Sequence, residues 1–75
     1  MKQILKKQWE YILYEDSEQL LLSVVCGTIA MFDRNIFLSE NEIQQYKEKG
    51  VIYINLLAEQ IRNDPNKYKD RHVII

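Results

Sequence analysis

Cys26 and His72 are the one thiol and the one imidazole of this 75-residue chain, and so the only pair that could serve as nucleophile and base. That chemistry needs the two within hydrogen-bond reach, an electropositive setting and access to solvent. Cys26 instead alternates with Leu22 and Val24 inside an apolar run, where a small buried hydrophobe is expected. His72 lies next to the C-terminal end and reads as a surface residue. A lone cysteine cannot close an internal disulfide, and the chain offers no zinc-type cluster of ligands.

Two groups of acids are the next candidates, Glu15-Asp16-Glu18 and Glu40-Glu42. Paired carboxylates can divide acid and base roles when burial separates their pKa values. Here the first group falls in a turn and the second in the first turn of a helix, where solvation and the helix N-terminus account for them. The tail Lys67, Tyr68, Lys69, Arg71 and His72 mixes cations with an aromatic, a pattern that can contact phosphates or stack on bases. It is short and diluted by Asp64 and Asp70, so a solvated turn pinned by Tyr68 is the expected role.

The totals point the same way. Ten Lys plus Arg against eleven Asp plus Glu leave a net charge of -1, which gives no long-range attraction for nucleic acid or an acidic membrane. The N-terminus MKQILKKQWEYILYED lacks the apolar core of a signal peptide. Leu20 to Phe32 falls well short of the ~18 to 20 uninterrupted apolar residues that span a bilayer. The expectation is a soluble cytoplasmic protein of one domain, with a hydrophobic fraction of 47% that suits an ordered core.

The elements follow from the apolar pattern. Trp9 to Tyr14 is rich in aromatic and branched residues and reads as a strand, with Trp9, Tyr11 and Leu13 on one face and Glu10, Ile12 and Tyr14 on the other. Glu15 to Glu18 predicts a hairpin turn. Gln19 to Phe32 would be a second strand, but fourteen extended residues would reach about 46 Å, so a bulge or a tight turn is expected at Gly27. Asp33-Arg34-Asn35 predicts the next turn and Ile36 to Leu38 a short third strand.

Ser39-Glu40-Asn41-Glu42 has the form of a capping box. From there Ile43, Tyr46, Gly50, Tyr53 or Ile54, Leu57 and Ile61 recur at helical spacing, which predicts one helix from Glu40 to Asn63 bent at Gly50, with two separate helices as the alternative. Asp64-Pro65 ends it. His72 to Ile75 is apolar enough to add a fourth strand. The predicted fold class is α+β, a three-stranded antiparallel β-meander packed against a long or Gly50-bent C-terminal helix.

One helix can roof only one face of such a sheet. One Trp, five Tyr and two Phe are residue types that interfaces favour, and an apolar face left open on a monomer marks a binding surface. The functional expectation is therefore a non-enzymatic protein-interaction module, self-associating or bound to another protein through Trp9, Tyr11, Tyr14, Phe32 and Phe37. No catalytic residue, cofactor, metal, nucleic acid or membrane is called for. An inhibitor or immunity-type protein whose acidic turn Glu15 to Glu18 meets a basic partner is an alternative. A small-molecule binder or enzyme with a pocket near Cys26, served by Tyr46 or Tyr53, is another.

Overall fold

The computed structural model describes residues 1–26 and 32–74. Four antiparallel strands run in sequence order across one sheet, β1 (Lys2–Lys7), β2 (Tyr11–Asp16), β3 (Gln19–Cys26) and β4 (Phe32–Phe37). They are followed by α1 (Glu40–Lys49), α2 (Val51–Asn63) and a 3₁₀ segment, Pro65–Arg71. The α+β class and the meander are as expected from sequence, but the sheet has four strands and the helix is two.

The added strand is N-terminal. KQILKK shows no alternation, because Ile4 and Leu5 are adjacent, yet both pack against the core. The register of β1 against β2 shifts between Gln3 and Leu5, and this bulge is what lets neighbouring residues lean the same way. The bulge and Lys2, Lys6 and Lys7 also blunt the free edge against pairing with another sheet.

In β2 the expected alternation holds: Tyr11 and Leu13 are buried, Ile12 and Tyr14 half-buried. The turn between β2 and β3 sits at Ser17 and Glu18, with Asp16 opposite Gln19 and Ser17 at φ 58°. The expectation for Gly27 lies outside the described residues. Asp33-Arg34-Asn35, however, is not a turn but the middle of β4, paired with Val25, Val24 and Ser23. Within the strand Asp33 stays exposed, and Asn35 finds hydrogen-bond partners in the C-terminal tail, described below.

Gly50 divides the helices. Its φ of 70° and ψ of -146° belong to a region that side chains with a Cβ avoid. Its N–H still closes α1 on the Tyr46 carbonyl at 2.7 Å, and its own carbonyl accepts from Tyr53 at 3.1 Å to open α2. The α1 N-terminus is the capping box read from sequence: Ser39 Oγ accepts from Glu42 N–H at 3.3 Å, and Glu42 Oε1 accepts from Ser39 N–H at 2.8 Å. The chain leaves the helix at Asp64, and Pro65 opens the 3₁₀ segment, as the Asp-Pro pair predicts.

The core lies between the helices and one face of the sheet. Leu13, Leu22, Val24 and Ile36 from the strands meet Ile54 and Ile61 from α2, all at 0% exposure. Burying each such side chain contributes roughly 1.5–3 kcal/mol over leaving it in water. Tyr68 of the 3₁₀ segment closes one end of this cluster. Among the described residues the tail adds no strand. Its pairing is a single bridge between His72 and Ile36.

Candidate interaction surface

The strand register sorts the side chains into two faces. Leu13, Leu22 and Ile36 lie in one cross-strand row and point to the helices; Tyr14, Leu21 and Phe37 form the next row and point away. Ile12, Ser23 and Asn35 form a further row on that same outer face, and Lys6 of β1 extends it. The helix-side cluster contains none of these outward residues. The sheet thus carries an apolar stripe of Ile12, Tyr14, Leu21, Val25 and Phe37 on the side the helices leave open. Leu21, flanked by two aromatic partners in register, is already at 0% exposure. The other four are half-buried.

Trp9 stands at the corner of this face. It occupies the turn between β1 and β2, closed by a hydrogen bond from Glu10 N–H to the Lys7 carbonyl at 3.0 Å. Its φ is 68°, unusual for a bulky side chain, which pays for the left-handed conformation where Gly or Asn would not. Its indole is 75% exposed. Trp9, Ile12, Tyr14 and Val25 line a cleft of about 360 Å³, with Lys6 and Asp33 on its polar rim.

The five aromatics expected at an interface therefore separate. Tyr14 and Phe37 lie on the open face and Trp9 borders it. Tyr11 is in the core at 4% exposure, donating its hydroxyl to Asn55 Oδ1 at 2.6 Å, because its parity is that of Leu13. Phe32 shares the parity of Ile36 and sits at the end of β4, with the Arg34 guanidinium 5.3 Å from its ring. Leu21 and Val25 were missed as members of this outer face, since in a continuous run LLLSVVC neither parity stands out from the other. A second exposed apolar set, Val51, Ile52 and Leu56 on α2, was hidden by the inward stripe that dominates the same helix.

The candidate chemical groups are not brought together. Cys26 is 1% exposed and donates its thiol to the Val24 carbonyl at 3.5 Å. Burial raises its pKa above the ordinary thiol value, outweighing the nearby Arg34, so the protein holds it as the neutral thiol. Among the described residues no hydrogen bond joins it to His72, whose Nδ1 is engaged by the Asn35 N–H at 3.1 Å. Cys26 lines neither the cleft beside Trp9, nor the one at Asn55 and Arg62, nor the one at Tyr46 and Lys47.

The acids and the basic tail have structural partners. Glu15, Asp16 and Glu18 are exposed at the β2–β3 turn, where Glu15 and Glu18 border a cleft of about 590 Å³ with Tyr46 and Lys47. Glu42 receives Arg71 at 2.6 and 3.1 Å. Burial works to raise the Glu42 carboxyl, but the hydrogen bonds from Arg71 and Ser39 and the guanidinium charge outweigh it and hold the pKa below the ordinary value. Tyr68 is buried and Arg71 is spent on Glu42, so the tail presents no basic stripe. At the other end of the sheet Glu10 bridges Lys7 at 3.2 Å and Arg62 at 3.4 Å.

Among the described residues no group of three or more His, Cys, Asp or Glu is placed to hold a metal ion, and no helix is long and apolar enough to cross a membrane. Comparison with protein-family models, with curated proteins and with solved structures finds no match to this chain.

Proposed function

We propose that this chain is a self-associating protein-interaction module, and that the occupant of its open sheet face is the same face of a second copy. The observation that carries the reading is the apolar stripe Ile12, Tyr14, Leu21, Val25 and Phe37, which faces away from both helices. Apolar surface of this kind on a small domain marks a docking site, and Trp9 has the type, exposure and border position of an interface anchor.

Charge and size favour a like partner. Lys6 on β1 and Asp33 on β4 lie at opposite edges of the face. A two-fold axis parallel to the strands sets the β1 of each copy over the β4 of the other, and so brings Lys6 beside Asp33 twice. Edge-to-edge pairing is disfavoured, because β1 is bulged and lysine-rich and β4 is partly covered by the tail. Four strands at ~4.8 Å spacing and six to eight residues long present roughly 400–500 Å². That is below the ~800 Å² per partner of a standard stable interface, so the complex is a reversible one, with Trp9 supplying further area.

A dilution series followed by amide NMR tests the assignment of the face. Concentration-dependent shifts are expected at Ile12, Tyr14, Leu21, Val25 and Phe37. Shifts confined to Ile52 and Leu56 would move the contact to α2, and a spectrum that does not change with concentration would remove self-association.

A further inference from the structure

Asn35 spends three polar groups on two residues of the C-terminal tail. Its N–H donates to His72 Nδ1 at 3.1 Å, its carbonyl accepts from Val73 N–H at 2.8 Å, and its side-chain Nδ2 donates to the Val73 carbonyl at 3.3 Å. With the tail in place Asn35 is 8% exposed, so these bonds are shielded from water while the tail stays docked. The first of these bonds depends on proton state. A backbone N–H can donate to Nδ1 only when that nitrogen keeps its lone pair, which fixes the neutral ring as the Nε2–H tautomer. Protonation gives the ring a second N–H, on Nδ1 and aimed at the Asn35 N–H, and converts an acceptor into an opposing donor.

We propose that the His72–Asn35 contact is a proton-sensitive latch, closed over the outer edge of β4 when the imidazole is neutral and opened when it is charged. The latch lies at the β4 edge of the open face, where Asn35 sits, but its contacts are within one chain and it does not depend on the self-association reading. Imidazole is the side chain that ordinarily changes charge between pH 5 and 8.

The charged groups on the elements meeting His72 are Asp33 and Arg34 on β4, Lys67, Lys69, Asp70 and Arg71 on the 3₁₀ segment, and Glu42 of α1 through Arg71. Asp33, Lys69 and Asp70 are exposed, and Arg34 points to the opposite face from Asn35. Arg71 also donates to the Phe37 carbonyl at 2.8 Å. Because the Glu42 carboxyl is held below the ordinary carboxylate range, this anchor persists at both pH 7.5 and pH 5. Opening therefore stops at Arg71 and frees the tail from His72 onward. It leaves the Asn35 N–H and C=O bare on a strand edge, the arrangement that invites pairing with another strand.

Native-state hydrogen exchange of the full chain by NMR, at pH 7.5 and pH 5, tests the latch. Protection factors at the Asn35 and Val73 amides are expected to fall about tenfold or more on acidification, the effect of losing one hydrogen bond. The Gly50 amide should keep its protection. In His72→Ala the two amides should be poorly protected at both pH values. Unchanged protection in the wild type, or an acid response that persists in His72→Ala, overturns the proposal. The imidazole nitrogen shifts of the wild type give a reading independent of any variant: an Nε2–H tautomer is expected at pH 7.5, and an Nδ1–H tautomer there contradicts the latch.

Discussion

Glu42 holds Arg71 and Ser39 with one carboxylate: Oε1 accepts both the Arg71 guanidinium at 2.6 Å and the Ser39 N–H at 2.8 Å, while Oε2 takes the second guanidinium nitrogen at 3.1 Å. A local helix cap and a contact spanning 29 residues of sequence thus share one side chain. The start of α1 and the end of the 3₁₀ segment are set against each other by it, and Arg71 extends the link to β4 through the Phe37 carbonyl.

This shared carboxylate has a pH signature. Its pKa is lowered on folding, so its contribution to stability is fully present above the unfolded value, about 4.3, and is lost as pH falls through the folded one. Stability from this group should be flat from pH 7 to 5 and decline below. Glu42→Ala removes the cap partner and the Arg71 acceptor together and should cost about 2–3 kcal/mol in urea denaturation. A loss within ~0.5 kcal/mol, the range of an ordinary surface substitution, would show that the contact is not made in solution.

Substitution of Trp9 should separate stability from association. Its φ of 68° costs roughly 1 kcal/mol that glycine avoids, and the exposed indole returns little by burial within the chain. Trp9→Gly should leave the melting temperature unchanged or raise it, while weakening self-association about tenfold or more. A variant that unfolds more easily and associates as before would assign Trp9 a purely structural role.

Gly50 should tolerate no side chain without loss. Nothing lies within 4 Å of the position a Cβ would take, so the penalty comes from backbone conformation alone. Gly50→Ala is expected to cost about 1–3 kcal/mol. An unchanged or raised denaturation midpoint would mean that α1 and α2 merge into one helix when the glycine is replaced.

Helices were more legible in the sequence than strands, and the reason is locality. Ser39 and Glu42 announce a helix start through contacts three residues apart, and Asp64-Pro65 announces its end through the proline ring. The conformation of Gly50 was harder, because a terminal glycine and a continuous apolar stripe gave opposite signals. β1 was missed because the bulge between Gln3 and Leu5 erases its alternation. Asp33-Arg34-Asn35 was misread as a turn because the partners of the Asn35 N–H, carbonyl and Nδ2 lie some 37 positions away, in the C-terminal tail. The open face was legible in Tyr14 and Phe37; the inward turn of Tyr11 followed from its parity with Leu13.

Cys26 should behave as core. With 1% exposure and a pKa raised by burial, it should react with a thiol reagent only as fast as the protein opens. Stoichiometric labelling of the native chain within seconds at pH 7 would contradict this placement.

Sedimentation equilibrium over a range from low to high micromolar concentration tests the central claim, that the sheet face left open by the helices is where a second copy docks. The wild type is expected to shift reversibly from monomer to dimer mass across that range, and Tyr14→Lys, which sets a charge in the middle of the stripe, to remain monomeric. A wild type that stays at monomer mass at every concentration, or a Tyr14→Lys variant that dimerises as the wild type does, would contradict it.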